Sequence, residues 1–273
     1  MTDREKLKKA QLMIACEIKR ICEENHISYF LDAGSMLGAI RHRGYIPWDD
    51  DMDIGMLKED YERFIEIAPD KLSEKFFLDN YNTNSGNPYV FSKVRLKNTV
   101  YIEEIGNKEL EHNEIFVDVF PYYYISDNVI IRKVEGMLMA VLSQAILSKS
   151  GYKVWKGKGM LKLVKFIPID ILGWIMTQSQ LRSIIHRLYE RHNNTRNMCV
   201  QSGSCYGYWY FPKEILQNLT DCEFENYIFK IPCDYDIFLK RAYGDYMKLP
   251  PREQQRTHDI IKLDFGDVFS DKN

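Results

Sequence analysis

Four aspartates fall within five residues in the N-terminal part of the chain: Asp49, Asp50, Asp51 and Asp53. From Asp51 onward, acidic and apolar residues alternate with a period of two. This alternation predicts a β-strand with Asp51 and Asp53 on one face and apolar residues on the other. The two carboxylates would then lie side by side, so any fold for this chain must hold two negative charges together.

The acidic stretch has three interpretations. A solvated acidic loop is the ordinary one, but the flanking residues 47–48 and 54–56 are not charged. A calcium-binding EF-hand loop needs glycine at its sixth position and glutamate at its twelfth, where this chain has Ile54 and Asp60. A divalent-metal site for phosphoryl transfer needs paired carboxylates and a third one from a neighbouring strand. The residues favour this third interpretation.

Asp118 is the natural third carboxylate. It is the one charged residue in the otherwise apolar run at residues 115–120. A buried charge is costly unless it is paired or bound to a metal. Because all the proposed ligands are oxygens, magnesium is favoured over zinc. The sequence therefore predicts that Asp51, Asp53 and Asp118 surround one or two Mg²⁺ or Mn²⁺ ions.

Hydrophobic periodicity predicts an α/β (α+β) fold. The predicted helices are residues 7–22, ending near Asn25, a short helix from Met36, and residues 58–72, 128–146 and 180–193. The predicted strands are residues 27–31, 51–56, 76–83, 89–102 and 114–125. The Gly34-Ser35 step lies between the first strand and the helix from Met36, where a close backbone and a hydroxyl suit a phosphate.

Composition and charge narrow the function. The 273 residues are 45% hydrophobic and 28% charged, as in ordinary globular proteins, and the net charge of -2 argues against nucleic acid as a partner. The N-terminal residues alternate charged and apolar side chains, which predicts a cytosolic protein without a secretory signal. The six cysteines include no C-x₂-C pair, so reduced thiols are favoured over structural zinc.

Several motifs together resemble one known family. The run "YFLDAGSMLGAIRHRGYIPWDDDMDIGM" (Tyr29 to Met56) is similar to the signature of the LicD family. Further similarities are "SKVRLKNT", "FVDVFP" and "YGDYMKLPP", the last followed by Arg256 and His258. Residues 128–200 carry no such similarity. The gap from Ser35 to Asp51 is longer than in the wider nucleotidyltransferase superfamily, and a LicD-like insertion, "RHRGYIPW", fills it.

The resemblance implies a nucleotidyltransferase-like mixed sheet flanked by helices, with an added helical region. The implied parts are a catalytic core at 1–127, a helical insertion at 128–200, and a C-terminal segment at 201–273 that completes the site. The implied reaction is metal-dependent transfer of phosphocholine from CDP-choline to a sugar hydroxyl. The acceptor would be a cell-surface glycan (teichoic acid, lipopolysaccharide or capsule) or its lipid-linked precursor. Ribitol phosphate or glycerol phosphate from a CDP donor is the alternative.

The resemblance also implies roles for individual residues. Asp51 and Asp53 would hold the metal that grips the donor diphosphate, and Asp118 would complete a second metal site or take the acceptor's proton. Asp49 is a candidate fourth ligand. The candidate substrate-binding residues are Gly34, Ser35, Arg41, His42, Trp48, Lys93, Arg95, Arg252, Arg256 and His258. For the basic residues the alternative is a salt bridge to one of the many acids, and for the histidines a structural role.

Choline would be held over aromatic faces, and the candidates are Trp48, Tyr206, Tyr208, Trp209 and Tyr210, with core packing as the alternative. The stretch Trp155 to Lys165 has four lysines among apolar residues, which suits a peripheral contact with the inner face of a membrane or a helix packed on the core. Two other protein classes are open: a non-catalytic calcium-binding or glycan-binding module, and a glycoside hydrolase with paired carboxylates.

Overall fold

A computed structural model describes residues 1–103, 111–152, 169, 171–200, 209–255 and 260–270. Within them the helices are α1 (Asp3–Glu24), α2 (Ala33–His42), α3 (Lys58–Lys71), α4 (Val129–Lys149), α5 (Gln178–Tyr189), α6 (Lys213–Gln217) and α7 (Tyr235–Tyr243), with a 3₁₀ helix at Arg252–Gln254. The strands are β1 (Phe30–Leu31), β2 (Asp53–Leu57), β3 (Phe76–Asp79), β4 (Ser92–Leu96), β5 (Val100–Glu103), β6 (Phe116–Ile125), β7 (Asn197–Val200), β8 (Tyr210–Pro212), β9 (Leu219–Phe224), β10 (Tyr227–Pro232) and β11 (Ile260–Asp264).

The central sheet is mixed. Its strand order is β1-β2-β6-β4-β3, and the second half of β6 also pairs with β7, which pairs with β8. Strands β2 and β6 are parallel, whereas the other pairs in this sheet are antiparallel. Smaller two-stranded sheets join β9 to β10 and β5 to β11. This architecture confirms the predicted mixed sheet flanked by helices.

Helices α1 and α3 contact each other and pack against the sheet. A capping box between Thr2 and Glu5 begins α1 earlier than predicted. The C-cap at Asn25 confirms the predicted end of this helix. The apolar side of α1 is fully buried at positions such as Leu7, Ile14 and Ile18. Burial of this stripe against the sheet stabilises the fold, and we call the covered side of the sheet its inner face. The opposite side, the outer face, is available for an active site.

Strand β6 shows how the two faces differ. Val117 and Val119 are fully buried, while Phe116, Asp118 and Phe120 between them are only partly buried. Since successive strand residues point to opposite faces, Asp118 projects away from the valines. The charged residue in an apolar run therefore lies on the outer face, as a strand with one buried face allows.

Three strand predictions need correction. The predicted strand 27–31 is reduced to β1, and the predicted strand 76–83 ends at Asp79 as β3 because residues 80–83 form a turn. The predicted strand 89–102 is two strands, β4 and β5. A turn separates them because Asn98 adopts a left-handed conformation, with φ of 61°. Thr99 stabilises this turn, since its hydroxyl donates to the Leu96 carbonyl and accepts from the Ile115 N–H.

The added helical region consists of α4 and α5, which pack on each other. They confirm the helices predicted at 128–146 and 180–193. Among the residues that the structure describes, no helix is long and apolar enough to cross a membrane. The predicted membrane-contact stretch Trp155 to Lys165 lies outside the described residues.

Candidate active site

A row of charged residues crosses the sheet. Asp53, the first residue of β2, lies directly opposite Asp118 on the parallel strand β6. On the other side of Asp118, the antiparallel strand β4 places Lys93 directly opposite it, and β3 then places Asp79 opposite Lys93. Residues opposed in this way share one face of a sheet. The structure thus brings together the predicted pair Asp53 and Asp118 and adds a lysine beside them.

Lys93 forms an ion pair with Asp118. Its Nζ lies 2.5 Å from Oδ1 of Asp118, and the lysine side chain is only 4% exposed. The ammonium also lies over the rings of Phe116, Tyr89 and Phe91. Burial lowers the pKa of Lys93, while the charge of Asp118 opposes that shift. Lys93, predicted as a phosphate contact, has a protein carboxylate as its partner.

The Gly34-Ser35 step connects the first turn of α2 to the start of β2 through a hydrogen bond. The buried hydroxyl of Ser35 accepts a hydrogen bond from the Asp53 N–H at 2.9 Å. The helix begins at Ala33, earlier than predicted, so both residues lie in its first turn, where backbone N–H groups have no intrahelical acceptor. A Cβ added at Gly34 would lie 3.0 Å from Oδ2 of Asp49. Glycine therefore lets the Asp49 carboxylate approach the helix N-terminus.

The four aspartates do not share one environment. Strand β2 begins only at Asp53, so Asp51 lies in the preceding loop, although Met52 between them is buried as the alternation predicted. Asp50 is also buried: its carboxylate accepts from the Tyr101 hydroxyl at 3.4 Å, and its carbonyl accepts from the Gln11 amide. Asp50 thus faces the interior and anchors the loop to α1.

The electrostatics show that the carboxylates are close. The pKa of Asp53 is raised well above its ordinary value by burial and then by the negative charges of Asp51, Asp118, Asp32 and Asp49. Repulsion of this kind is what a divalent cation with oxygen ligands relieves.

Comparison with known proteins identifies a family for the part of the chain that contains these carboxylates. Residues 26–140 match the family model described as "LicD/FKTN/FKRP, nucleotidyltransferase domain". Residues 26–140 form a LicD-family domain. The LicD-family domain contains the paired strands β2 and β6 and the helix α2 that together position the carboxylates.

Two named relatives are transferases. Over 249 residues the chain is 28% identical to the lipopolysaccharide cholinephosphotransferase LicD of Haemophilus influenzae, covering 88% of this chain and 89% of that protein. Over 40 residues it is 48% identical to the human ribitol 5-phosphate transferase FKRP, covering 15% of this chain and 8% of that protein. The similarity to LicD therefore extends over nearly the whole chain.

The metal ligands predicted for the LicD-family domain fit magnesium by donor chemistry, because they are carboxylate oxygens, and the neighbouring negative charges raise the pKa of Asp53. In the described part of the chain, however, no three His, Cys, Asp or Glu side chains are gathered so that they could hold one metal ion. Binding an ion at Asp51, Asp53 and Asp118 would therefore require these side chains to move closer together.

A second cluster lies at the other end of α2. Arg41 donates through Nε to Nε2 of His42 at 2.9 Å and through Nη1 to the Tyr246 carbonyl at 2.7 Å. Its guanidinium lies 5.8 Å from the Trp48 ring centre. Burial and then the charges of Arg41 and Lys8 lower the pKa of His42. The predicted trio Arg41, His42 and Trp48 is thus brought together, about 9 Å along the helix from Ser35.

Arg95 and Arg252 lie apart from this cluster. Arg95 is buried in an ion pair with Asp79, with Nε 2.6 Å from Oδ2, and it also donates to the Glu114 carbonyl. Arg252 is exposed in the 3₁₀ helix. Arg256 and His258 lie outside the described residues.

Two site residues were missed from the sequence. Asp32 is the N-cap of α2, is buried, and accepts a hydrogen bond from the Tyr122 hydroxyl at 2.7 Å. Its position just before a helix start was the available signal. The pKa of Tyr243 is raised by burial and then by the charges of Asp32, Asp53, Asp49 and Asp51, so its hydroxyl lies near the carboxylates. The similarity in "YGDYMKLPP" begins at Tyr243 and was the available signal, but it gave no role to this residue.

A separate cavity of about 500 Å³ lies between α3 and α5. Its lining includes Tyr61, Tyr123, Arg182 and Tyr189, and none of the predicted site residues. Since Tyr123 alternates with Asp118 along β6, this cavity lies on the opposite face of the sheet from the carboxylates.

The predicted aromatic cage is only partly assembled. Tyr206 and Tyr208 lie outside the described residues, and the Tyr210 ring is covered by the guanidinium groups of Arg132 and Arg241. Trp209 meets Tyr243 edge-on, with ring centres 5.7 Å apart. The five described cysteines are free thiols, and Cys205 lies outside the described residues.

Proposed function

We propose that this chain transfers phosphocholine from CDP-choline to a sugar hydroxyl of a surface glycan or its lipid-linked precursor. The observation that carries the proposal is the register of β2 and β6, which places Asp53 opposite Asp118 beside the Gly34-Ser35 helix start. The LicD-family domain and the similarity to a lipopolysaccharide cholinephosphotransferase support it.

In this proposal Asp51 and Asp53 hold a Mg²⁺ or Mn²⁺ ion on the donor diphosphate, and Asp49 and Asp118 are the candidate further ligands. A bound divalent ion would neutralise diphosphate charge and make the phosphorus a better electrophile. In this proposal the first turn of α2 and the Ser35 hydroxyl donate hydrogen bonds to phosphate oxygens, which the backbone N–H groups at the start of this helix support. Arg41 carries a positive charge at the other end of α2 and binds farther along the donor or acceptor through Nη2, since Nε and Nη1 donate within the protein.

Asp118 takes the proton in the transfer step. The acceptor hydroxyl gives its proton to the Asp118 carboxylate, and its oxygen forms a new bond to the phosphorus that bears choline. The bond from that phosphorus to the CMP oxygen breaks, and CMP leaves with the bonding electrons. Lys93 holds one oxygen of Asp118 at 2.5 Å and so fixes the direction in which the carboxylate points.

Choline is favoured over other alcohols by two neighbouring rings. A quaternary ammonium is usually held over aromatic faces. Trp209 contacts Tyr243, and Tyr243 lies near the site carboxylates. We therefore assign the choline contact to this pair, and not to Tyr210, whose ring already carries two arginines.

Transfer of ribitol phosphate from CDP-ribitol is the second candidate. The local similarity to a ribitol 5-phosphate transferase favours it. A polyol makes hydrogen bonds and carries no cation, so it would gain little from the Trp209 and Tyr243 rings.

The test is donor binding by the purified chain. Thermal unfolding is measured with Mg²⁺ or with chelator, in the presence of CMP, CDP-choline, CDP-ribitol or CDP-glycerol, and CMP release is followed with lipopolysaccharide as acceptor. We expect a magnesium-dependent shift that is largest with CDP-choline. Asp53→Asn should abolish it, whereas Asp70→Asn, on an exposed position of α3, should retain it.

Two outcomes would contradict the proposal. Stabilisation by Ca²⁺ alone, with no response to any CDP-alcohol, would indicate a binding module. Glycan cleavage in chelator without nucleotide would indicate a glycoside hydrolase.

A further inference from the structure

An apolar surface is exposed on the added helical region. It consists of Ile130, Val134 and Met137 of α4 together with Ile171, Trp174 and Ile175, which lie in the helical residues 171–175. Trp174 is 85% exposed and Ile130 is 75% exposed. Exposed clusters of large apolar side chains mark interaction sites in proteins more often than single exposed residues do. We call these six residues the apolar face.

The two parts of the apolar face are continuous. Positions 130, 134 and 137 recur at helical spacing and lie on one exposed side of α4. Gly173 packs against the C-terminal part of α4, since a Cβ there would lie 3.1 Å from the Ala145 carbonyl oxygen, and Lys149 Nζ donates to the Gly173 carbonyl. Trp174 therefore lies beside the C-terminal part of the helix whose exposed apolar side begins at Ile130.

Basic residues outnumber acidic ones in the sequence around the apolar face, where Asp127 and Asp170 are the flanking acids. The exposed residues of α4 other than apolar ones are Lys133 and Lys149. The single acid of this helix, Glu135, is buried and paired with His192 and Arg191. In the sequence, residues 136–169 contain six lysines and no aspartate or glutamate, although the whole chain has a net charge of -2. Positive charge is thus concentrated in the sequence that joins α4 to residues 171–175.

We propose that the apolar face docks on an anionic lipid surface. Tryptophan and aliphatic side chains bordered by lysines suit the boundary between headgroups and acyl chains. Pairing with a second copy would bring Lys133 and Lys149 of α4 close to the same lysines of that copy, since a symmetric dimer joins identical surfaces, and like charges would repel. The proposal goes beyond phosphocholine transfer and holds for whichever alcohol the site transfers.

The experiment is co-sedimentation of the full chain with lipid vesicles. Vesicles of phosphatidylcholine alone are compared with vesicles that also contain about 30 mol % phosphatidylglycerol. Trp174→Glu and Ile130→Glu place a negative charge on the apolar face. Ile228→Glu is the matched control, because Ile228 is a 48% exposed apolar residue on β10, away from this face.

We expect wild type and Ile228→Glu to bind the anionic vesicles, with binding weakened by raising the salt from about 0.05 to 0.5 M. Each apolar-face variant should bind at least about tenfold more weakly, because it loses buried apolar area and gains repulsion from the lipid. The melting temperatures of the same samples show whether each variant is folded. The shift of the melting temperature by CDP-choline shows whether each variant still binds the donor, so failure of lipid binding can be told from failure of the proposed transfer reaction.

Two results would overturn the lipid assignment. One is equal sedimentation of wild type and both apolar-face variants with anionic vesicles, including no sedimentation of any. The other is a sedimentation-velocity result without lipid in which wild type is a dimer and Trp174→Glu is a monomer. That result would show that the apolar face binds a second copy of the chain.

Discussion

Lys93 Nζ lies 2.5 Å from Oδ1 of Asp118, with side chains that are 4% and 15% exposed. Removing one partner of a buried ion pair leaves an uncompensated charge. We expect Lys93→Met to lower the free energy of unfolding by about 3 kcal/mol. Urea denaturation followed by circular dichroism measures this loss.

The double variant Lys93→Met, Asp118→Asn separates stability from chemistry. It removes both charges and should recover most of the lost stability, but it should release no CMP because the proton acceptor is gone. Wild-type stability in the single variant would show that the pair is solvated and does not position Asp118.

The Asp53 carboxylate is expected to destabilise the metal-free fold and to bind the metal ion. Burial and the surrounding carboxylates raise its pKa well above the ordinary value, so its charged form destabilises the fold. In chelator, Asp53→Asn should therefore melt at a higher temperature than wild type. Added Mg²⁺ should raise the wild-type melting temperature and leave the variant unchanged. A variant that responds to Mg²⁺ as wild type does would place the metal elsewhere.

Two glycines of α2 should respond differently to alanine. At Gly38 an added Cβ would lie 2.4 Å from the backbone oxygen of Gly44, which cannot rotate away, so Gly38→Ala should cost about 1–3 kcal/mol. At Gly34 the neighbour is the side chain of Asp49, which can move. Gly34→Ala should therefore keep wild-type stability in urea but lower kcat/KM about tenfold, because it displaces Asp49 from the phosphate site. Unchanged kcat/KM would remove Asp49 from the site.

Much of the scaffold could be predicted from periodicity. The apolar stripe of α1 and the acid-apolar alternation around Asp53 follow directly from the spacing of side chains. The approach of Asp118 to Asp53 could also be predicted, because a lone acid in an apolar strand needs a place on the outer face of the sheet.

The partners of these residues could not be predicted in the same way. That Lys93 meets Asp118 depends on the register between two antiparallel strands, which alternation alone leaves open. The approach of Tyr243 depends on the packing of α7 against α2, a contact between distant parts of the chain. Asn98 split one predicted strand into two because a single left-handed residue overrides the β-propensity on either side.

Asp127 gives a pH-dependent prediction outside the site. Its carboxylate accepts hydrogen bonds from the backbone N–H groups of Arg196 and Asn197 and from the Asn197 side chain. Burial raises its pKa, but these hydrogen bonds outweigh that effect and lower it. A lowered pKa contributes stability above the unfolded value, which is lost as the pH falls through the folded value. Asp127→Asn should reduce the urea midpoint of unfolding at pH 7. The difference in urea midpoint between the variant and wild type should become smaller below about pH 4. A constant difference down to pH 3 would show that the charge is not responsible.

Trp209 is expected to set donor selectivity. Its ring contacts Tyr243, whose hydroxyl lies near the site carboxylates, so a choline headgroup next to the transferred phosphorus would reach this pair. Loss of one aromatic face from a cation site costs about 0.5–2 kcal/mol, or about twofold to thirtyfold in affinity. Trp209→Leu keeps an apolar side chain and should raise KM for CDP-choline by this factor, while KM for CDP-ribitol should change little. An equal rise for both donors would mean that Trp209 supports the fold around α7, where it also packs on Phe238, and has no part in recognising choline.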